Sequence, residues 1–287
     1  MGPLPDETDG RLAPEAAFSL LGHELRLEIL WAIWTAPDGT ATFSEIRDRV
    51  DVADNGRLNY HRGRLTDHFI RRVGDEGYTL RQAGLHVIQA IHAGRFTDHP
   101  ERERTTLDGA CGDCGGTLAF RYVDDMANVF CVDCDRLWNE HAFPPAGVES
   151  RTDEELALAH DRWERARLRL AADGICPACG GRMTAALIPA GHYRDYVTHV
   201  RYECRHCTFH PRETLGERVL RHPATVALFY DHGIDLAATP CWELPFCFDE
   251  DYVETETDPL RAHVRVPCED DELVFAFDAD GTPAVSE

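Results

Sequence analysis

Eight of the eleven cysteines fall in four Cys-x-x-Cys pairs: Cys111/Cys114, Cys131/Cys134, Cys176/Cys179 and Cys204/Cys207. A Cys-x-x-Cys turn aims two sulfurs at one point, and a tetrahedral zinc ion takes four thiolates at ~2.3 Å, so two such turns complete one closed site. Sixteen residues separate the first two pairs and twenty-four the second two; the first interval lies inside the window of about 15–20 residues usual for such a site. The pattern predicts two structural Zn2+ sites, each a zinc ribbon. Gly115-Gly116 and Gly180-Gly181 follow the first cysteine pair of each set and let the turn fold tightly. Disulfides are the competing chemistry, disfavoured where thiols stay reduced, and a metal- or redox-sensing role for the ribbons stays open. Cys241, Cys247 and Cys268 have no partner spacing and read as small buried hydrophobes. His206 and His210 lie near the second set, but four cysteines already fill the coordination.

The elements that must carry these residues begin after a polar stretch, residues 1–13, expected to be disordered. From Pro14 to Trp34 apolar residues recur at helical spacing, with a break at Gly22-His23. Thr42-Phe43-Ser44-Glu45 fits a capping box that launches a short helix through Val50. Asp54 then caps a second helix running to about Phe69, with Leu58, His61, Leu65 and Phe69 on its packed side. Ile70 to Val73 and Tyr78 to Leu80 flank an acidic, glycine-bounded turn and predict a hairpin, and a last helix runs from Gln82 to about Gly94. This order is that of a winged helix-turn-helix over residues 14–96, whose second helix enters the major groove. Arginine matches guanine edges and asparagine adenine edges, while tyrosine reaches phosphate, so Arg57, Asn59, Tyr60 and Arg64 are the candidate readers of double-stranded DNA. Arg71 and Arg72, at the base of the wing, suit the backbone.

Strand-like Leu118 to Val123 and Asn128 to Val132 lie between the first cysteine pairs, and Tyr196 to Tyr202 leads into the last. Between the ribbons, Thr152 to Ala172 is a charged helix with Leu156, Trp163 and Leu170 seven apart, a seam expected to pack on its own ribbon. A helix near Pro223 to His232 and strands near Ala262 to Val266 and Leu273 to Phe277 follow. The expected organisation is α+β and multidomain. The winged helix-turn-helix is followed by a first zinc ribbon over 105–145, a helix plus second ribbon over 152–210, and a small C-terminal α+β region over 211–287.

Charge narrows the setting. The 287 residues carry 51 acids against 29 basic residues, all arginine, for a net charge of −22. Such a surface suits a salt-rich cytoplasm, where ions screen self-repulsion over ~3 Å at 1 M; a genome that writes arginine for lysine is the alternative source. Residues 40–82 hold 8 arginines against 7 acids, a basic island where phosphate could dock, whereas 96–287 hold 18 against 37. No apolar run approaches the ~20 residues of a membrane span, and MGPLPDETDG lacks a signal-peptide pattern, so a cytoplasmic location is expected. No nucleophile, base and orienting group can be picked out, and no Gly-rich phosphate loop occurs, so no enzymatic activity is expected.

The stretches PEAAFSLLGHELRLEIL, TFSEIRDRV, NGRLNYHRGRL and DEGYTLRQAG, with the later CPACGG, HPATVALFYDHGIDL and WELPF, resemble the winged-helix transcriptional regulators of halophilic archaea. That branch is similar to the ArsR-type repressors, here with a cysteine-rich C-terminal domain. The resemblance covers residues 14–280 and implies a DNA-binding regulator, acting as a homodimer, with the Asn59-Tyr60-His61 helix in the major groove. One departure is Arg62, which falls where such repressors carry an apolar residue. Residues 1–95 contain no cysteine, so the thiolate metal sensing found within the winged helix of some ArsR-type members is not expected. The alternative of a different class is a zinc-ribbon scaffold of the transcription machinery, not itself sequence-specific.

Overall fold

The computed structural model describes residues 12–191 and 197–286, so the expected N-terminal disorder lies, but for Leu12 and Ala13, outside the described residues. The chain is α+β and divides into two compact units, Met1–Asp98 and His99–Glu287.

In the first unit α1 (Pro14–Leu21) and α2 (Glu24–Trp34) meet at the break at Gly22-His23. Strand β1 (Thr40–Thr42) leads directly into α3 (Phe43–Val50), and Thr42 and Glu45 make the reciprocal capping box that their spacing predicts. Asp54 Oδ1 accepts the amides of Gly56 and Arg57 at 2.8 and 3.2 Å to open α4 (Asn55–Leu65). That helix stops four residues short of Phe69. Thr66 takes an extended conformation and Asp67 a left-handed one with φ of 71°, so Phe69 reaches the core from the following turn. Strands β2 (Ile70–Val73) and β3 (Gly77–Leu80) form the hairpin, and α5 (Gln82–His92) closes the unit. Strand β1, too short to carry a pattern in the sequence, pairs antiparallel with β3 to give a three-stranded sheet of order β1-β3-β2. One core joins Ile29, Leu30 and Ile33 of α2 to Ile46, Leu58, Leu65, Ile70 and Ile88.

The second unit opens with a four-stranded antiparallel meander, β4 (Arg102–Ala110), β5 (Thr117–Val123), β6 (Met126–Cys131) and β7 (Leu137–Ala142). The short α6 (Pro145–Glu149) precedes α7 (Asp153–Ala172), which Thr152 and Glu155 cap reciprocally. Strands β8 (Met183–Ile188), β9 (His199–Cys204) and β10 (Arg212–Thr214) make a second sheet, followed by α8 (Leu215–Val219) and α9 (Pro223–Asp231). A last meander comprises β11 (Val253–Thr257), β12 (Leu260–Cys268), β13 (Asp271–Phe277) and β14 (Pro283–Val285). The three regions that cysteine spacing treats as separate share a single hydrophobic cluster, running from Leu107 and Phe120 through Leu168 and Val200 to Val264 and Phe277. Each sheet has one apolar face, and a few short strands cannot bury that face alone.

Helix α7 packs differently from its heptad seam. Leu156 is buried, but Trp163 and Leu170 remain 41% exposed, and the inward face includes His160, Asp161 and Glu164. Apolar spacing misleads here because the buried charges have partners. Arg165 Nε meets Asp161 at 3.0 Å and its Nη atoms donate to the carbonyls of Leu236 and Thr239 at 2.9 and 2.8 Å, while Arg167 meets Glu164 at 2.8 Å. Buried charges are tolerated when paired and hydrogen-bonded in this way.

Because one core underlies the second unit, Phe275→Ala is expected to cost about 3–5 kcal/mol and to speed amide exchange around both cysteine groups as well as in β12 and β13. Exchange rising in the last meander alone would show that the regions unfold separately.

Candidate metal centres and nucleic-acid interface

The first cysteine set is built from strand ends. Cys111 and Cys114 lie in the turn from β4 to β5, Cys131 ends β6, and Cys134 lies in the turn to β7. The second repeats the plan, with Cys176 and Cys179 between α7 and β8, Cys204 ending β9, and Cys207 in the turn to β10. The local hydrogen bonds match pairwise. Cys111 N donates to Gly116 O and Gly115 N to Cys111 O, both at 2.8 Å, and Cys176, Gly180 and Gly181 repeat these bonds at the same distance. Gly115 and Gly180 carry φ of 70° and 71°, which only glycine adopts without strain. A Cβ on Gly181 would lie 3.1 Å from Cys179 Sγ and 3.4 Å from Cys204 Sγ, so a side chain there would crowd two sulfurs.

In each set the four sulfurs lie within 4.8 Å of one another and could hold a metal ion. Four thiolates ~2.3 Å from a tetrahedral centre are about 3.8 Å apart. The observed contacts are 3.8 Å for Cys111–Cys134, 3.5 Å for Cys114–Cys131, 3.6 Å for Cys176–Cys207 and 3.5 Å for Cys179–Cys204, so both donor sets fit such an ion. These distances exceed by far the ~2.05 Å of a disulfide, and all eight cysteines are free thiols. Backbone amides of Gly116, Asp133, Gly181 and His206 point at the sulfurs at 3.3–3.4 Å. The amide of Cys207 pulls the Cys204 thiol down to about 6 against desolvation, and Cys131 is lowered to about 7. Against the amides of Gly116 and Gly181, the neighbouring sulfurs push Cys114 and Cys179 up to about 12, so one thiolate in each set is favoured before any cation enters. Cys241, Cys247 and Cys268 are buried outside both sets.

The DNA candidates lie in the first unit. Arg57, Asn59, Tyr60 and Arg64 are all exposed on α4, while Leu58, His61 and Leu65 are buried beneath them. Arg71 and Arg72 are exposed on β2, and Arg72 bonds the carbonyl of Asp75 across the hairpin turn at 2.9 Å. Among the described residues the side chains of Arg57, Arg64 and Arg71 make no hydrogen bond or ion pair, so these exposed guanidinium groups are uncommitted. Arg62 does not enter the core. It lies over the Tyr78 ring at 4.6 Å, donates to the Tyr78 hydroxyl and to Asn59 Oδ1, and so ties α4 to the hairpin. The same bond occupies one acceptor of Asn59.

His61 is a packed residue. Its ring lies tilted against that of His23 with centroids 4.0 Å apart, and its Nδ1 accepts from Arg26 Nε at 3.2 Å, which requires that nitrogen to be unprotonated. Burial, followed by the charges of His23, Arg26 and Arg57, holds its pKa below the ordinary histidine value.

A cluster that spacing did not single out lies in the second unit. His141 Nδ1 is 3.4 Å from Glu164 Oε1, and the fully buried His160 stands 5.9 Å from His141 between Phe120 and Phe143. Burial pushes His141 down to about 4 and His160 to about 3, so both rings are neutral. The His160-x-x-x-Glu164 interval on one face of α7 was the available signal.

The family model described as Domain of unknown function (DUF7351) matches residues 108–282, and a second, Domain of unknown function (DUF7347), matches residues 14–91. No curated protein and no solved structure matches the chain. The two matches fall on either side of the division at Asp98/His99. Among the described residues no helix is long and apolar enough to cross a membrane.

Two outcomes follow from this geometry. Purified from zinc-containing medium, the chain should retain two ions; Cys131→Ala and Cys204→Ala should each lose one, as counted by elemental analysis. For His61, the lowered folded pKa means that the unfolded chain binds the proton more tightly. Stability of the first unit should therefore fall as pH drops below about 6.5, seen as faster amide exchange in α4, and His61→Gln should flatten that dependence.

Proposed function

We propose that this chain, which belongs to the DUF7351 family, is a DNA-binding transcriptional regulator in which the first unit is a winged helix-turn-helix and α4 its recognition helix. The observation that carries the reading is the two-sidedness of α4: an inner face of Leu58, His61 and Leu65 locked into the core, and an outer face of Arg57, Asn59, Tyr60 and Arg64 left to solvent. Support also comes from the element order, with α3 and α4 joined by a short turn and followed by an antiparallel hairpin carrying Arg71 and Arg72. A helix so presented fits the major groove, where arginine reads guanine and asparagine adenine, while hairpin arginines meet phosphate.

In the same reading both four-cysteine sets hold Zn2+. Cys111, Cys114, Cys131 and Cys134 would be the ligands of one ion, and Cys176, Cys179, Cys204 and Cys207 those of the other. All-cysteine sites are closed, so the zinc supplies cross-linking of strand ends and no reaction. The chain acts as a homodimer on a two-fold-symmetric operator in the cytoplasm.

The test is binding to the protein's own promoter DNA in a mobility shift at fixed salt. Arg57→Ala and Arg64→Ala are each expected to weaken specific binding by about 1–3 kcal/mol and to relax base preference at one position. Arg71→Ala should weaken all sequences alike and reduce the salt slope by about one. Unchanged binding in the Arg57→Ala/Arg64→Ala double variant would remove α4 as the reading element and leave the zinc-ribbon scaffold as the better account.

A further inference from the structure

In the second unit a cleft of about 440 Å³ is lined by Asp108, Gly109, Trp138, Trp242, Glu243 and Pro245, together with the Gly112 backbone. The volume is in the range of small-molecule sites. Its lining combines two indoles, each 6% exposed, with two exposed carboxylates and no basic side chain. Gly109, with φ of 110°, lets the chain beside Asp108 approach Glu243 and Trp242: a Cβ there would stand 3.7 Å from Glu243 Cγ and 4.0 Å from Trp242 Cδ1.

The two carboxylates are uncompensated. Among the described residues neither Asp108 nor Glu243 makes an ion pair or a side-chain hydrogen bond, and the Glu243 carboxyl is raised by burial and then by the nearby charge of Asp108. The arginine that lies on the Trp138 ring is already committed. Arg136 lies 5.0 Å over the Trp138 ring, with its guanidinium bonded to Asp113 and to the Phe248 carbonyl. That contact shows one indole of the cleft stacking with a cation, while the ring of Trp242 has no cation over it among the described residues.

We infer that this cleft binds a small organic cation of the alkylammonium class, its charge met by Asp108 and Glu243 and its methyl or methylene groups packed on Trp242 and Trp138. An aromatic face attracts a weakly hydrated cation strongly once both are desolvated, and carboxylates supply the long-range attraction. A strongly hydrated inorganic ion would use the carboxylates and gain nothing from the indoles. The inference is independent of the DNA reading, since every residue in it lies in the second unit.

The test is isothermal titration of the full chain with tetramethylammonium chloride in sodium chloride of matched ionic strength. Saturable binding is expected, weakened about fivefold by Asp108→Asn or by Glu243→Gln and further by the pair. Both residues are exposed, so melting temperatures should stay unchanged. Ammonium chloride should bind several-fold more weakly, because it lacks the apolar groups the indoles contact. Absence of saturable heat, affinity unchanged in the double variant, or calcium or ammonium binding as tightly as tetramethylammonium would each overturn the inference.

Discussion

Four sulfurs held 3.5–3.8 Å apart across their closest contacts are an unstable arrangement without a cation among them. As thiolates they repel; as thiols they offer only weak hydrogen bonds. The second unit makes this arrangement twice, and the positions of its first two sheets depend on it. β6 and β9 each deliver a cysteine from their last residue, and the preceding Cys-x-x-Cys turn is placed by the strand that follows it. The amides trained on the sulfurs are already fixed by the turn, so little reorganisation remains when charge develops there. Metal affinity and fold stability are therefore linked quantities in this unit.

The second constraint is electrostatic. In a chain with 51 acids and no lysine, the buried carboxylates Glu213, Asp161 and Glu164 each meet an arginine through directional bonds, whereas Glu217, held by Thr214, is pushed up to about 8 by burial. Glu213, 1% exposed, receives two bonds from Arg221 and one from the Tyr202 hydroxyl. Asp161 accepts from Arg165 and from the Cys241 amide, while Arg165 reaches two carbonyls beyond α9. A guanidinium fork can serve a carboxylate and a carbonyl together, which an ammonium group on a flexible stem does less well. Such pairs contribute little net stability by themselves. Their effect is to fix the rotation of α7, turning a polar face inward and leaving Trp163 outside.

This explains what was legible in the chain and what was not. Features set by neighbours in sequence could be read directly: the Thr42/Glu45 box, the Asp54 cap, the glycine-bounded hairpin and the Cys-x-x-Cys turns are all decided within a few residues. Pairing of the cysteine sets was legible because the two intervals are short. Features set by distant partners were not. The β1 strand is three residues long and exists because β3 lies beside it, and the burial of His160 depends on Phe120 and Phe143. The Trp138/Trp242 cleft joins residues about a hundred positions apart, beyond the reach of any motif. Arg62 is the instructive case, since an arginine at an expected apolar position is accommodated by stacking on Tyr78, a residue sixteen positions later.

Local fixing of side chains also bears on how a chain of net charge −22 could recognise DNA. Long-range attraction is a poor source of affinity for so acidic a molecule, and in concentrated salt the release of counterions from the duplex contributes little. What remains is short-range: bidentate bonds from guanidinium groups to base edges, the fit of a helix to the groove, and packing that keeps the helix in place. The structure invests in the last of these. α4 is capped at its first turn by Asp54, buried along Leu58 and Leu65, tied through His61 to Arg26 and through Arg62 to the hairpin. Were α4 the recognition helix proposed above, being held at four points would cost it little freedom on binding, a preorganisation that salt does not screen.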